Sequence, residues 1–200
     1  MGGTIGMTID PVTGALRPVR GLLTSSLDTI LRGNSRFPRV QVYESPEPLD
    51  SSDMGPADWA EIAHLIAARF SEFDGFVVVQ GTDTLAYSAS ALSFMLENLS
   101  KPVVLTGAML PMGRSESDAP RNLLVSILVA ATSMIPEVCV FFRDQLLRGC
   151  ALLLCHRLLQ PASKYADAVR AYVMLQAGAK SSTPKASMRF FRPISPRLPR

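Results

Sequence analysis

The sequence predicts an α/β fold built on a parallel sheet, and three observations carry that reading. Short β-branched runs bounded by glycine or proline recur through the middle of the chain. Longer segments with helical apolar spacing separate them. The runs are apolar at successive positions, as strands covered on both faces require. Strand and helix in strict alternation predict parallel pairing with right-handed crossovers.

Each element can be justified in order. Val40–Tyr43 reads as a weak strand. The segment Asp50-Ser51-Ser52-Asp53-Met54-Gly55-Pro56 supplies cap residues and an early proline for a helix running to about Phe70. Trp59, Ile62, Ala63, Ile66 and Phe70 form its apolar face, and His64 falls on the solvated side. Phe76–Gln80, between Gly75 and Gly81, is a buried strand. Leu85–Leu99 follows as a helix, with Leu85, Ala89, Leu92, Phe94–Leu96 and Leu99 at helical spacing. Pro102–Leu105 is the next strand, a helix runs from about Asp118 to Ser133, and Val138–Phe142 is the third strand.

Asn122–Phe142 contains no Lys, Arg or His, which invites a membrane reading. Pro136-Glu137 divides it into pieces too short to span a bilayer, so none is expected. The three cysteines, Cys139, Cys150 and Cys155, are too few for a disulfide scaffold and suit a reducing compartment. No charged-then-apolar leader opens the chain, so a cytoplasmic location is expected.

The 200 residues carry a formal net charge of +3, but unevenly. Residues 1–150 hold 11 basic and 16 acidic side chains, whereas residues 151–200 hold 9 basic and a single acidic one, Asp167. This predicts two parts, an α/β domain over 1–150 and a basic tail over 151–200. Leu152–Leu154 and Leu158-Leu159 are apolar, but no turn-bounded strand is expected there. The tail reads as one helix, about 163–177, followed by disorder. It lacks the interleaved aromatics of a nucleic-acid binder, so no such partner is expected.

Three polar turns fall where an α/β sheet places its site. Gly2-Gly3-Thr4-Ile5-Gly6 exposes a hydroxyl between glycines that allow close backbone approach. Asp50-Ser51-Ser52-Asp53 is the second. Gly81-Thr82-Asp83-Thr84 directly follows a strand and opens a helix, the position where ligands bind in open α/β sheets. Singly, each is explained as a chain start or a helix cap. Together, two threonine hydroxyls in glycine-flanked turns, one beside a carboxylate, suit a nucleophile and a proton relay.

Gly2-Gly3-Thr4-Ile5-Gly6-Met7, Asp50-Ser51-Ser52-Asp53-Met54, Gly81-Thr82-Asp83-Thr84 and Ala91–Leu99, in this order, resemble the L-asparaginases. The likeness spans about residues 2–149 and is nearest to the cytoplasmic, type I-like group, including the N-terminal part of eukaryotic asparaginase/lysophospholipase proteins. It implies a three-layer α/β domain with helices on both faces of a parallel sheet. It also implies an amidohydrolase that turns L-asparagine and water into L-aspartate and ammonia, with no cofactor or metal. By this resemblance Thr4 is the nucleophile of an acyl-enzyme. Thr82 and Asp83 are the second catalytic Thr and its neighbouring Asp, which also contacts the substrate. Asp50, Ser51 and Ser52 form the substrate-binding loop. The resemblance further implies a homo-oligomer.

The sequence also departs from the family pattern. Relatives carry an apolar strand directly before Gly-Gly-Thr, where Met1 stands here, so a first strand is expected to be missing. The mobile-loop Tyr of many relatives corresponds to the region Gly14-Ala15-Leu16. The family's Ser-Asp-Gly turn reads Ser117-Asp118-Ala119. Its Arg-Gly-Asn-Arg-x-Thr-Lys segment begins as Arg148-Gly149-Cys150 and then diverges, so the place of the relay Lys falls at Leu154. A C-terminal domain is likewise expected to be absent. The alternative reading is a non-catalytic fragment that co-assembles with a full-length asparaginase.

Overall fold

A computed structural model describes residues 4–10, 13–31, 37–45, 49–155 and 158–161. Twelve regular elements occur among them: β1 (Met7–Ile9), β2 (Leu16–Pro18), α1 (Leu22–Leu31), α2 (Pro56–Ala68), β3 (Phe76–Val79), α3 (Leu85–Met95), β4 (Val103–Thr106), α4 (Ala119–Thr132), β5 (Val138–Phe142), β6 (Gln145–Arg148), β7 (Leu152–Cys155) and β8 (Leu158–Pro161). The central sheet has the order β3-β4-β5-β6. Its first three strands are parallel and β6 returns antiparallel to β5. The α/β expectation is met, with one antiparallel edge added.

Strand parity distributes the core. Val78, Val103, Leu105, Val138, Val140 and Phe142 face one side and pack with Ile62 and Ile66 of α2 and Leu85, Ala89 and Leu92 of α3. Val104, Cys139 and Phe141 face the other, against Val129 and Ala130 of α4. Successive side chains point to opposite faces, so a strand with helices on both sides must be apolar throughout. Val103–Leu105 is wholly buried for this reason.

The helix ends have identifiable causes. Gly55 precedes Pro56 at the start of α2, and the Asp58 carboxylate accepts from the Gly55 N–H at 2.8 Å. At the far end, Lys101 Nζ donates to the carbonyls of Phe70 and Phe73, both at 2.7 Å, where the chain leaves the helix. Helix α3 stops at Met95, earlier than the periodicity to Leu99 suggests. Asn98, at φ 54°, takes the left-handed conformation that turns the chain toward β4. His64 is exposed, as its helix position predicts.

Two expectations are corrected. Val40–Tyr43 is not a strand, because no described strand lies beside it to complete a ladder. It is held instead by Glu44, whose carboxylate accepts from the N–H of Gly21 at 2.7 Å and from the N–H and hydroxyl of Thr24 at the start of α1. Residues 152–161, expected to lack strands, form the antiparallel pair β7–β8. The hairpins β1–β2 and β5–β6 were likewise not anticipated. The helix expected at about 163–177 lies outside the described residues.

Candidate active site

The carboxyl ends of parallel strands β3 and β4 open into two loops, Gln80–Thr84 and Gly107–Asp118. The first carries Thr82 and Asp83, which therefore sit at the edge where α/β sheets bind ligands. Gly107 makes the close approach possible. A Cβ there would lie 2.5 Å from the Gln80 carbonyl oxygen and 3.5 Å from Thr82 Cγ2, so only glycine lets the two strand ends converge.

The Asp50–Asp53 turn is brought to the same place from far away in sequence. Ser51 is buried and donates its hydroxyl to Asp83 Oδ2 at 2.9 Å. Thr84 Oγ1 donates to the Ser51 carbonyl at 2.8 Å, a second tie between the same two loops. Ser52 folds back on Asp50, giving Oδ1 both its N–H and its hydroxyl at 3.0 Å. Those two hydrogen bonds, the backbone one first, hold the Asp50 carboxyl below its ordinary pKa.

Thr4 opens a 3-10 turn, Thr4–Gly6, that leads into β1. Its neighbour Ile5 is 1% exposed and shares a core cluster with Ala108, Leu123 and Ile127, with Val79 packed against it. This seats the turn beside the carboxyl ends of β3 and β4. Among the described residues, no hydrogen bond joins Thr4 to Thr82 or Asp83, so the structure unites Ser51 with Asp83 and leaves Thr4 adjacent. Gly2 and Gly3 lie outside the described residues.

Behind the site runs a polar network that the sequence reading missed. Gln80, fully buried, donates from Nε2 to Ser88 Oγ at 3.0 Å and reaches Thr84 Oγ1 at 3.5 Å. Trp59 Nε1 also donates to Ser88 Oγ, at 2.8 Å. Thus α2, α3 and the loop leaving β3 meet at one hydroxyl directly under the Thr84–Ser51 tie.

A second missed group anchors the other loop. Asp118 accepts the N–H of Met109 and of Leu110, each at 3.1 Å, and Asn122 Nδ2 at 3.1 Å. Asn122 in turn donates to the Gly107 carbonyl at 3.0 Å and accepts the Arg143 N–H. The signal available in the sequence was the Ser117-Asp118 turn, read as a helix start. The carboxylate in fact grips the preceding loop. Further on, Arg148-Gly149 is also explained: a Cβ at Gly149 would lie 2.9 Å from the carbonyl oxygens of both Ala89 and Val138.

No group of three or more His, Cys, Asp or Glu that could hold a metal ion occurs among the described residues. No described helix is long and apolar enough to cross a membrane.

A family profile described as asparaginase, N-terminal, matches residues 1–157. L-asparaginase 1 of Escherichia coli (strain K12) is 44% identical over 153 residues, covering 74% of this chain and 44% of that protein. The 60 kDa lysophospholipase of Homo sapiens is 48% identical over 132 residues, 65% of this chain and 23% of that one. Among solved structures, L-asparaginase I from Vibrio cholerae superposes with a TM-score of 0.75 at 40% identity, covering 80% of this chain and 48% of that one. The chain thus spans less than half the length of each of these relatives. With its α/β sheet, its ordered Thr and Ser-Asp turns and this match, the chain belongs to the asparaginase family, over that family's N-terminal region.

Proposed function

We propose that this chain carries an asparaginase-type amide-hydrolysing site, which converts L-asparagine and water to L-aspartate and ammonia. The observation that supports the reading best is the 2.9 Å hydrogen bond from Ser51 to Asp83, which holds two separate polar loops together at the carboxyl edge of the sheet. A small zwitterion needs donors for its carboxylate and a carboxylate for its ammonium within one tight space, and these loops offer both.

In this reading Thr4 Oγ attacks the side-chain carboxamide carbon, ammonia leaves with the transferred proton, and water cleaves the resulting ester. Thr82 and Asp83 relay the proton, and Asp83 also receives the substrate ammonium. Asp50, Ser51 and Ser52 bind the substrate at its α-carbon groups. A threonine hydroxyl is a weak nucleophile at neutral pH and depends on such a relay. The place of the family's relay Lys falls at Leu154. Losing one member of a catalytic unit costs about three orders of magnitude or more. Catalysis by this chain is therefore weak, and in this reading the chain works in the cytoplasm as a homo-oligomer; the alternative is a non-catalytic fragment that co-assembles with a full-length asparaginase.

The test is ammonia release from L-asparagine by the purified chain, beside a chain restored through the Lys segment, with L-aspartate binding measured by calorimetry. Both should bind L-aspartate, the restored chain should be far faster, and Thr82→Ala should abolish release in both. Failure of either chain to bind L-aspartate or L-asparagine overturns the reading.

A further inference from the structure

Gln80 directly follows β3, opens the loop that carries Thr82 and Asp83, and is 1% exposed. A side-chain amide this deeply buried is kept in place by its hydrogen bonds. Here they are one-sided. Nε2 donates to Ser88 Oγ at 3.0 Å and, over a longer 3.5 Å, to Thr84 Oγ1. Oε1 has no hydrogen-bond partner among the described residues. The amide is therefore oriented by what it gives and not by what it receives.

Thr84 and Ser88 stand one helical turn apart at the start of α3, so a single NH2 group reaches both hydroxyls. It acts differently on each. Ser88 Oγ also accepts Trp59 Nε1 at 2.8 Å, so two N–H donors occupy both of its lone pairs. Thr84 Oγ1 leads outward to the site. An N–H facing that oxygen excludes the hydroxyl hydrogen from its own direction, and the hydrogen goes to the Ser51 carbonyl at 2.8 Å. Ser51 in turn gives its hydroxyl to Asp83. Donation thus runs one way, from the amide to Thr84, from Thr84 to Ser51, and from Ser51 to Asp83. An acceptor in place of the NH2 group would draw the Thr84 hydrogen back and release the Ser51 carbonyl.

We propose that Gln80 is a positioning residue, whose N–H groups fix the direction of the Thr84 hydroxyl and, through it, the place of Ser51 against Asp83. It acts through these two residues and not on substrate directly. Its consequence for binding rests on the amide-hydrolysing reading; its consequence for the Ser51 turn rests on the hydrogen bonds alone.

Two variants close to glutamine in size separate polarity from packing. Gln80→Met removes the donors, and Gln80→Glu replaces them with a carboxyl that only accepts when ionised. The full chain is read by amide exchange at Asp53 and Met54, whose N–H groups close the Ser51 turn, and by calorimetry with L-aspartate. Gln80→Met should lower protection at both amides, and affinity for L-aspartate, at least about fivefold, while Val104 and Leu105 of β4 keep their protection. The Gln80→Glu loss of affinity, taken against the parent at each pH, should shrink from about pH 9 to about pH 5, because the protonated carboxyl again has a hydrogen to give. Thr84→Val should reproduce the loss in the turn, and Gln80→Met should add little to it. If Gln80→Met does not fold, Gln80→Glu and Thr84→Val decide. Unchanged protection in the variants overturns the proposal. So do additive losses in the double variant, and so do equal losses of affinity in Gln80→Met and Gln80→Glu at every pH, which would mark a packing role. A parent chain that does not bind L-aspartate overturns the amide-hydrolysing reading instead, and exchange at Asp53 and Met54 still judges Gln80.

Discussion

Ser51 and Asp83 lie 32 residues apart and are joined by a 2.9 Å hydrogen bond from a buried hydroxyl to a carboxylate oxygen. One bond therefore sets the position of two loops. Hydrogen bonds to a charged group contribute about 1.5–3 kcal/mol. Ser51→Ala should weaken L-aspartate binding about tenfold or more, measured by calorimetry, with a smaller effect on global unfolding. Unchanged affinity would show that Asp83 is positioned without Ser51.

Asp118 makes a separate prediction. Its carboxylate is the acceptor for the amides of Met109 and Leu110. Asp118→Ala removes that acceptor and should destabilise the fold by about 2 kcal/mol, while speeding exchange at those two amides ahead of the β4 amides. Asp118→Asn keeps one carbonyl oxygen and should lie between the two. Exchange that rises uniformly along the chain would argue against a local anchor.

Cys139 provides a pH dependence. Burial, with Glu137 adding to it, pushes the thiol up to about 12 from an ordinary value of 9.0. A raised acid pKa favours the protonated fold, so this contribution is intact below about pH 9 and is lost as pH rises toward 12. One proton changes stability by at most about 1.4 kcal/mol per pH unit. Cys139→Ala should flatten the urea-stability slope between those limits. Alkylation followed by peptide mass analysis at pH 8 should mark exposed Cys150 and spare Cys139.

The legible part of the fold is the stretch in which each element announces its own period. Phe76–Val79, Leu85–Met95, Val103–Thr106, Ala119–Thr132 and Val138–Phe142 all follow from local patterning. Val40–Tyr43 has strand composition, but a strand exists only through its neighbour, and composition does not reveal whether one is there. The β5–β6 hairpin escaped for a different reason. Its turn uses Arg143 and Asp144 at φ 46° and 63°, left-handed positions that glycine or asparagine usually fill, so the customary turn signal is absent. The same division applies to the site. Thr82, Asp83 and Ser51 are visible as turn chemistry. The Gln80–Ser88–Trp59 junction is not, because its members sit on two helices and a loop, with Trp59 and Ser88 29 residues apart.

That junction also gives the molecule a built-in optical gauge. Trp59 is the single indole in the sequence, and its N–H ends on the hydroxyl that also receives Gln80, one step from the Thr84 that holds Ser51. Its emission therefore reports from the underside of the two loops against a dark background, and their state can be followed in solution without attaching any dye.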